Sequence, residues 1–140
     1  MTQHRFQVFP LLAAVMCVAA GLALRRYGYS IGLTFPVVKY GASVIWGSMV
    51  YFLALSVLPH TQRLTVALAA GAFSIVLELF RLFHTDALDA FRLTTIGALL
   101  LGRVFSFWNI AAYLAGIGLA CAVSAWLGPA ASPSSAPSAS

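Results

Sequence analysis

Apolar side chains run in long stretches along this chain, and four of these are long enough for membrane-spanning helices. They cover roughly residues 8–24, 37–58, 64–83 and 106–127. An α-helix rises about 1.5 Å per residue, so about 20 residues cross a hydrocarbon layer of about 30 Å. The first stretch is short and has to stand nearly upright; Pro10 near its start is tolerated in a first turn. Between the first two stretches, "RRYGYSIGLTFP" carries Gly28, Gly32 and Pro36 and reads as a loop that ends at a helix start. The connection "PHTQR", residues 59–63, is tight enough to make the second and third helices antiparallel neighbours. The pattern predicts an all-α fold, a four-helix transmembrane bundle that forms a single domain over residues 1–127.

The piece between the third and fourth spans breaks the pattern. "LTTIGALLLG", residues 93–102, is apolar but too short to span, and Arg92 and Arg103 bracket it. This predicts a short re-entrant or interfacial helix over about 92–103, with a fifth, strongly tilted span as the alternative. Backbone that ends at membrane depth needs protein or a wet cavity to satisfy it, so a dipping segment would itself mark a cavity. Residues 128–140 are rich in Pro, Ser and Ala without periodicity and read as a disordered tail. The first stretch also has the outline of a signal peptide. Its length, and Arg25 and Arg26 directly after the small-residue candidate site, argue for an uncleaved helix.

Composition agrees with the pattern: 61% of the 140 residues are hydrophobic and 8% are charged, far too few charges for a soluble domain. The formal net charge of +5 fits membrane topology or anionic headgroups. There is no basic run with interleaved aromatics, so nucleic acid is not an expected partner; membrane lipid is. Cys17 and Cys121 sit in apolar runs, match no metal spacing and read as small buried hydrophobes. Arg25, Arg26 and Lys39 flank the first loop, Arg81, Arg92 and Arg103 the third, and Arg5 and Arg63 the other side. A plain count puts loops one and three in the cytoplasm. That count loses its force if the third-loop arginines serve a site.

All three acidic residues, Glu78, Asp86 and Asp89, lie within twelve positions. Glu78 falls inside the third apolar run, where a charge costs on the order of 3 kcal/mol on insertion scales. Ser74, Glu78, Arg81 and Thr85 share one helical face by spacing. Two readings compete: a structural Glu78–Arg81 ion pair that locks the helices, and a polar pocket for a charged ligand. A third makes Glu78 a proton acceptor. Lys39, Ser43 and Gly47 on helix two and Asn109, Tyr113 and Gly116 on helix four can meet that face. Lys39 also fits an interfacial anchor. Ala112, Gly116, Ala120 and Ser124 form a small-residue stripe suited to close helix packing. Arg92, Thr94 and Thr95 open the short segment, where free N–H groups favour an anion. Asp89 either caps the turn or pairs with Arg92. Asp86 reads as a solvated loop residue, and His60 and His84 as single loop histidines. No nucleophile–His–acid spacing, Gly-rich phosphate loop, metal motif or cofactor motif is present.

Several stretches carry a family resemblance. "ELFRL", "FRLTTIGALLLGRVFSFWNIAAYLAGIGLA" and "KYGASVIWGSMVYF" resemble domain-of-unknown-function family 2809, small bacterial multi-pass membrane proteins, over roughly residues 8–127. The family pattern falls on Glu78, Arg92, Thr94, Thr95, Gly97, Gly102, Phe105, Tyr113 and Gly116, with Lys39, Tyr40, Gly41, Trp46, Met49, Tyr51 and Phe52 on helix two. Asn109 stands where an Asp is common, and Arg81 follows Phe80 where the family commonly has Gln-Leu after the Glu. The Glu…Arg…Gly order is similar, more loosely, to VanZ-like proteins, which are linked to glycopeptide tolerance. The resemblance implies a bacterial inner-membrane address and brings no established activity.

The expected site is therefore a buried polar cluster of Glu78, Arg81, Arg92, Thr95 and Asn109, with Lys39 nearby, that binds the anionic headgroup of a lipid or polyprenyl phosphate for transport or protection. Its rivals are a membrane-embedded enzyme acting on such a lipid and a scaffold subunit of a membrane complex.

Overall fold

A computed structural model describes residues 2–100 and 105–128, and side chains over 8–97 and 105–128. The tail beyond Gly128, and Gly102 and Arg103, lie outside the described residues. The elements are α1 (Thr2–Tyr27), α2 (Phe35–Val57), α3 (Arg63–Phe80), α4 (Asp86–Leu93), α5 (Thr95–Leu100) and α6 (Phe107–Leu127). Four of them, with α1 counted from Val8, are long and apolar enough to cross a membrane. Their outer faces carry large apolar side chains such as Leu12, Met16, Leu68 and Trp126. Hydrocarbon tolerates such a surface, whereas water would drive it to aggregate.

The centre is the contact between α2 and α6. A Cβ at Gly116 would run into the Val44 carbonyl, and one at Gly47 into the Tyr113 carbonyl, so glycine here lets the two backbones touch. Ser48 Oγ donates across the gap to Gly116 O at 2.9 Å, and the Tyr51 hydroxyl meets Ser124 Oγ at 2.9 Å. Trp46 packs on Tyr113 with ring centroids 4.9 Å apart. The expected stripe of Ala112, Gly116, Ala120 and Ser124 is buried along this seam.

Residue pairings fix the direction of each helix. Ser43 meets Asn109 near the starts of α2 and α6, and Tyr51 meets Ser124 further along both, so α2 and α6 are parallel. Glu78, near the end of α3, meets Asn109, whereas Arg63 at its start donates to Gly128 O after α6; α3 is antiparallel to α6. Gly21 faces Ile45, and Gly28 faces Val38, so α1 runs antiparallel to α2. The first loop, the end of α3 and the start of α6 therefore lie at one end of the bundle. Among the described residues that end holds Arg25, Arg26, Lys39, Arg81 and Arg92, and also Glu78, Asp86 and Asp89.

The connection from α3 to α6 leaves and returns at that same end, which excludes a fifth span. The short helix α5, Thr95–Leu100, falls within the one expected over about 92–103, and a further helix, α4, precedes it. The third span ends at Phe80, three residues early, and α4 begins at Asp86. Thr85 accepts from Leu88 N at 3.3 Å, and Asp86 and Asp89 fill the first turn. A β-region side-chain cap with acids behind it is a strong helix start. Thr94 then leaves the helical region and its Oγ1 accepts from Gly97 N at 3.0 Å, which starts α5. Gly97 also has to be small, because a Cβ there would strike the Phe91 carbonyl.

These directions predict sidedness. In a background lacking Cys17 and Cys121, Ser30→Cys and Asp86→Cys should react with an impermeant thiol reagent from the same side of the membrane. His60→Cys should react from the other. Labelling of positions 30 and 86 from opposite sides would contradict the helix directions.

Candidate functional site

Glu78 sits in the last turn of α3, on the stripe Val66, Ala70, Ser74, Glu78 that faces the bundle interior. Its side chain is fully buried. Oε1 accepts from the Ser106 backbone N–H at 2.9 Å and from Asn109 Nδ2 at 3.2 Å, both at the entry to α6. Oε2 lies 2.6 Å from Nη1 of Arg81, the residue that caps α3. Tyr113 is buried one turn further along α6 than Asn109.

The network continues into α2. Asn109 Oδ1 accepts from Ser43 Oγ at 3.3 Å, and Ser43 Oγ also reaches its own helix at Lys39 O, 3.1 Å away. One amide thus faces both ways, donating to the carboxylate and accepting from the hydroxyl. Three helices meet at it. A carboxyl in place of Asn109 would offer no donor to Glu78 when ionised. Asn109 therefore suits a site in which Glu78 itself carries the charge.

Of the residues singled out from sequence, Glu78, Arg81 and Asn109 come together. Arg92 does not join them. It is 3% exposed, but its guanidinium turns to the end of α3, donating from Nη2 to Phe80 O at 3.0 Å and from Nη1 to Phe83 O at 2.7 Å. It also donates to Asp89 Oδ1 at 3.1 Å, which resolves the choice for Asp89 in favour of pairing. Arg92 acts as a distant C-cap, since the last carbonyls of a helix lack intrahelical donors. Asp89 faces His84 Nδ1 as well, at 3.2 Å and largely in the open.

Thr95 is exposed at the start of α5, and Thr85, placed on the Glu78 face by spacing, is the exposed cap of α4. Lys39 is half-buried, with Nζ over the Phe35 and Tyr40 rings at 5.8 and 5.3 Å. It touches the Glu78 network through its carbonyl alone among the contacts described. That arrangement matches the interfacial-anchor alternative. The Ser106 N–H is a site donor that sequence reasoning did not identify. A backbone donor has no residue signature, and only the turn geometry before α6 aims it at Glu78.

Glu78→Gln should destabilise the protein by on the order of 3 kcal/mol, because Arg81 then keeps a mostly buried charge without its carboxylate. Asn109→Ala should cost less, about 1–3 kcal/mol, through loss of one donor to the carboxylate and one acceptor from Ser43. Unfolding in detergent, followed by tryptophan fluorescence against denaturant, reads both. A Glu78→Gln effect no larger than that of an exposed substitution would contradict the network.

No solved structure matches the chain. A family model described as "Protein of unknown function (DUF2809)" matches residues 34–117, which run from the start of α2 through the Glu78 network into the middle of α6. The chain belongs to that family.

Proposed function

We propose that this is a multi-pass protein of the bacterial inner membrane that binds the anionic headgroup of a lipid at Arg81, for transport or protection of that lipid. One observation carries the reading: the ion pair is asymmetrically buried. The Glu78 side chain is 0% exposed and the Arg81 side chain 14% exposed. The carboxylate is therefore an internal anchor, and the arginine it holds keeps a small exposed fraction of its side chain. Arginine presents five donors in a planar fork that matches phosphate oxygens. The setting supports the same ligand. Arg81 lies just past the end of a span, at the depth where headgroups begin, and shares that end with Arg25, Arg26, Lys39 and Arg92.

A second reading is favoured by the partners of Glu78. Ser106 and Asn109 lie on a different segment from Glu78, as they would in a lock that serves folding alone. The two readings differ in what Arg81 does once the fold is made.

Thermal unfolding in a neutral detergent separates them. Phosphatidylglycerol should raise the Tm of the wild type, and phosphatidylcholine should not. Arg81→Gln should lose most of that rise. Arg92→Gln should lower the Tm through the lost cap but keep the rise, since its guanidinium is engaged by Phe80, Phe83 and Asp89. An equal lipid response in the wild type and Arg81→Gln would leave the lock reading in place and remove the headgroup.

A further inference from the structure

The turn after Arg81 shapes an apolar groove. It is lined by Phe80, Phe83, Thr85, Ala87, Leu88 and Phe91, with a volume of about 500 Å³. Phe80 and Phe83 stack with centroids 6.2 Å apart, and Phe91 on α4 completes the wall. Phe83 is 67% exposed, and Phe80 and Phe91 are each about 40% exposed. The opposite side of α4 carries Asp86, Asp89 and Arg92 at successive three-residue steps. The helix is thus amphipathic, with its apolar side turned to the groove. An aromatic-walled groove with one polar lining residue, Thr85, offers dispersion and burial but almost nothing to a polar ligand.

We propose that this groove holds one fatty-acyl chain of the anionic phospholipid whose headgroup Arg81 binds; the proposal rests on the headgroup reading above. Two features select this occupant. The groove starts on the last residue of a membrane-spanning helix, so bilayer hydrocarbon borders its apolar wall. Arg81 directly follows Phe80, the first residue of the groove, in the chain, and is paired with Glu78 beside it. An anionic phospholipid carries its charge and its chains with the same adjacency. The turn 81–85 is held from behind by Arg92, which bonds the Phe80 and Phe83 carbonyls. The two phenylalanines that begin the groove are thereby fixed relative to α4. Arg92 becomes a positioning residue for the chain, at a distance from the headgroup.

The test titrates the full chain in neutral detergent with phosphatidylglycerol of long acyl chains and with a six-carbon-chain analogue, reading the Tm. The wild type should respond to both, with the long-chain lipid half-saturating at a much lower concentration. Phe83→Ala with Phe91→Ala removes two groove walls that face outward, so the fold should survive. This variant should need roughly tenfold more long-chain lipid, with its short-chain response unchanged. Arg81→Gln should lose both responses. Equal chain-length dependence in the wild type and the double variant would overturn the groove while leaving the headgroup reading intact. A wild type indifferent to both lipids would instead remove the headgroup reading, and the groove proposal with it. A polyprenyl phosphate that binds the wild type more tightly than the long-chain lipid, with that advantage lost in the double variant, would refute the fatty-acyl occupant.

Discussion

A carboxylate that cannot reach water has to find its counter-charge and its donors inside the protein, and Glu78 imposes that requirement on everything near it. Burying an isolated charge costs far more than a whole domain's net stability can absorb. The solution here is assembled from three segments. Arg81 supplies charge from the cap of the same helix, Ser106 supplies a backbone N–H from the entry to α6, and Asn109 supplies an amide from the first turn of α6. Asn109 then has a carbonyl to satisfy, and Ser43 on α2 satisfies it. A membrane interior gives helices little hydrophobic reason to choose one register over another, because lipid tails are as apolar as the side chains. A buried charge with few ways to be satisfied makes that choice sharp. The α2–α6 seam supplies close contact at Gly47 and Gly116, and the Glu78 network supplies its alignment with α3.

The other two carboxylates belong to the same construction. Asp86 and Asp89 start α4, and Asp89 steadies Arg92, whose guanidinium closes the open end of α3. Helix α3 cannot simply be continued at this point, since the chain has to turn and return to the same end for α6. The three acids cluster in sequence because they serve one turn: Glu78 fixes the helix on its near side, and the aspartates fix the helix on its far side. Arg81 lies between them and belongs structurally to the first, through its pairing with Glu78. On this view the structural lock and the proposed headgroup site are one device, in which the fully buried partner holds the less buried one.

Sequence made the spans and the core of the site legible for the same reason. In chains this apolar, a Glu, an Arg or an Asn inside a hydrophobic run stands out, and helical spacing assigns it a face. Glu78, Arg81 and Asn109 were readable on those grounds, as were the small residues of the α2–α6 seam and the antiparallel turn at "PHTQR". Arg92 was not, because its principal partners are backbone carbonyls nine and twelve residues away, and carbonyls carry no sequence mark. Ser106 escapes for the same reason, through its N–H. The start of α4 was in fact written in "HTDALD", a threonine cap with two acids behind it. The apolar run at 93–102 is the louder signal and draws attention away from α4 to the α5 that follows it. Thr95 and Lys39 show the opposite error, in which residue type indicates binding chemistry but position leaves one exposed and the other over aromatic rings.

The central claim is that Glu78 and Arg81 are energetically one unit inside the bundle, and a double-mutant cycle measures that directly. Glu78→Gln, Arg81→Gln and the double variant would be unfolded by denaturant in the same detergent as the wild type. The account predicts that the double variant is less destabilised than the sum of the two single variants, by more than about 1 kcal/mol, because removing both charges leaves neither stranded. Additivity within about 0.5 kcal/mol would show that the two residues act independently, and would contradict the account.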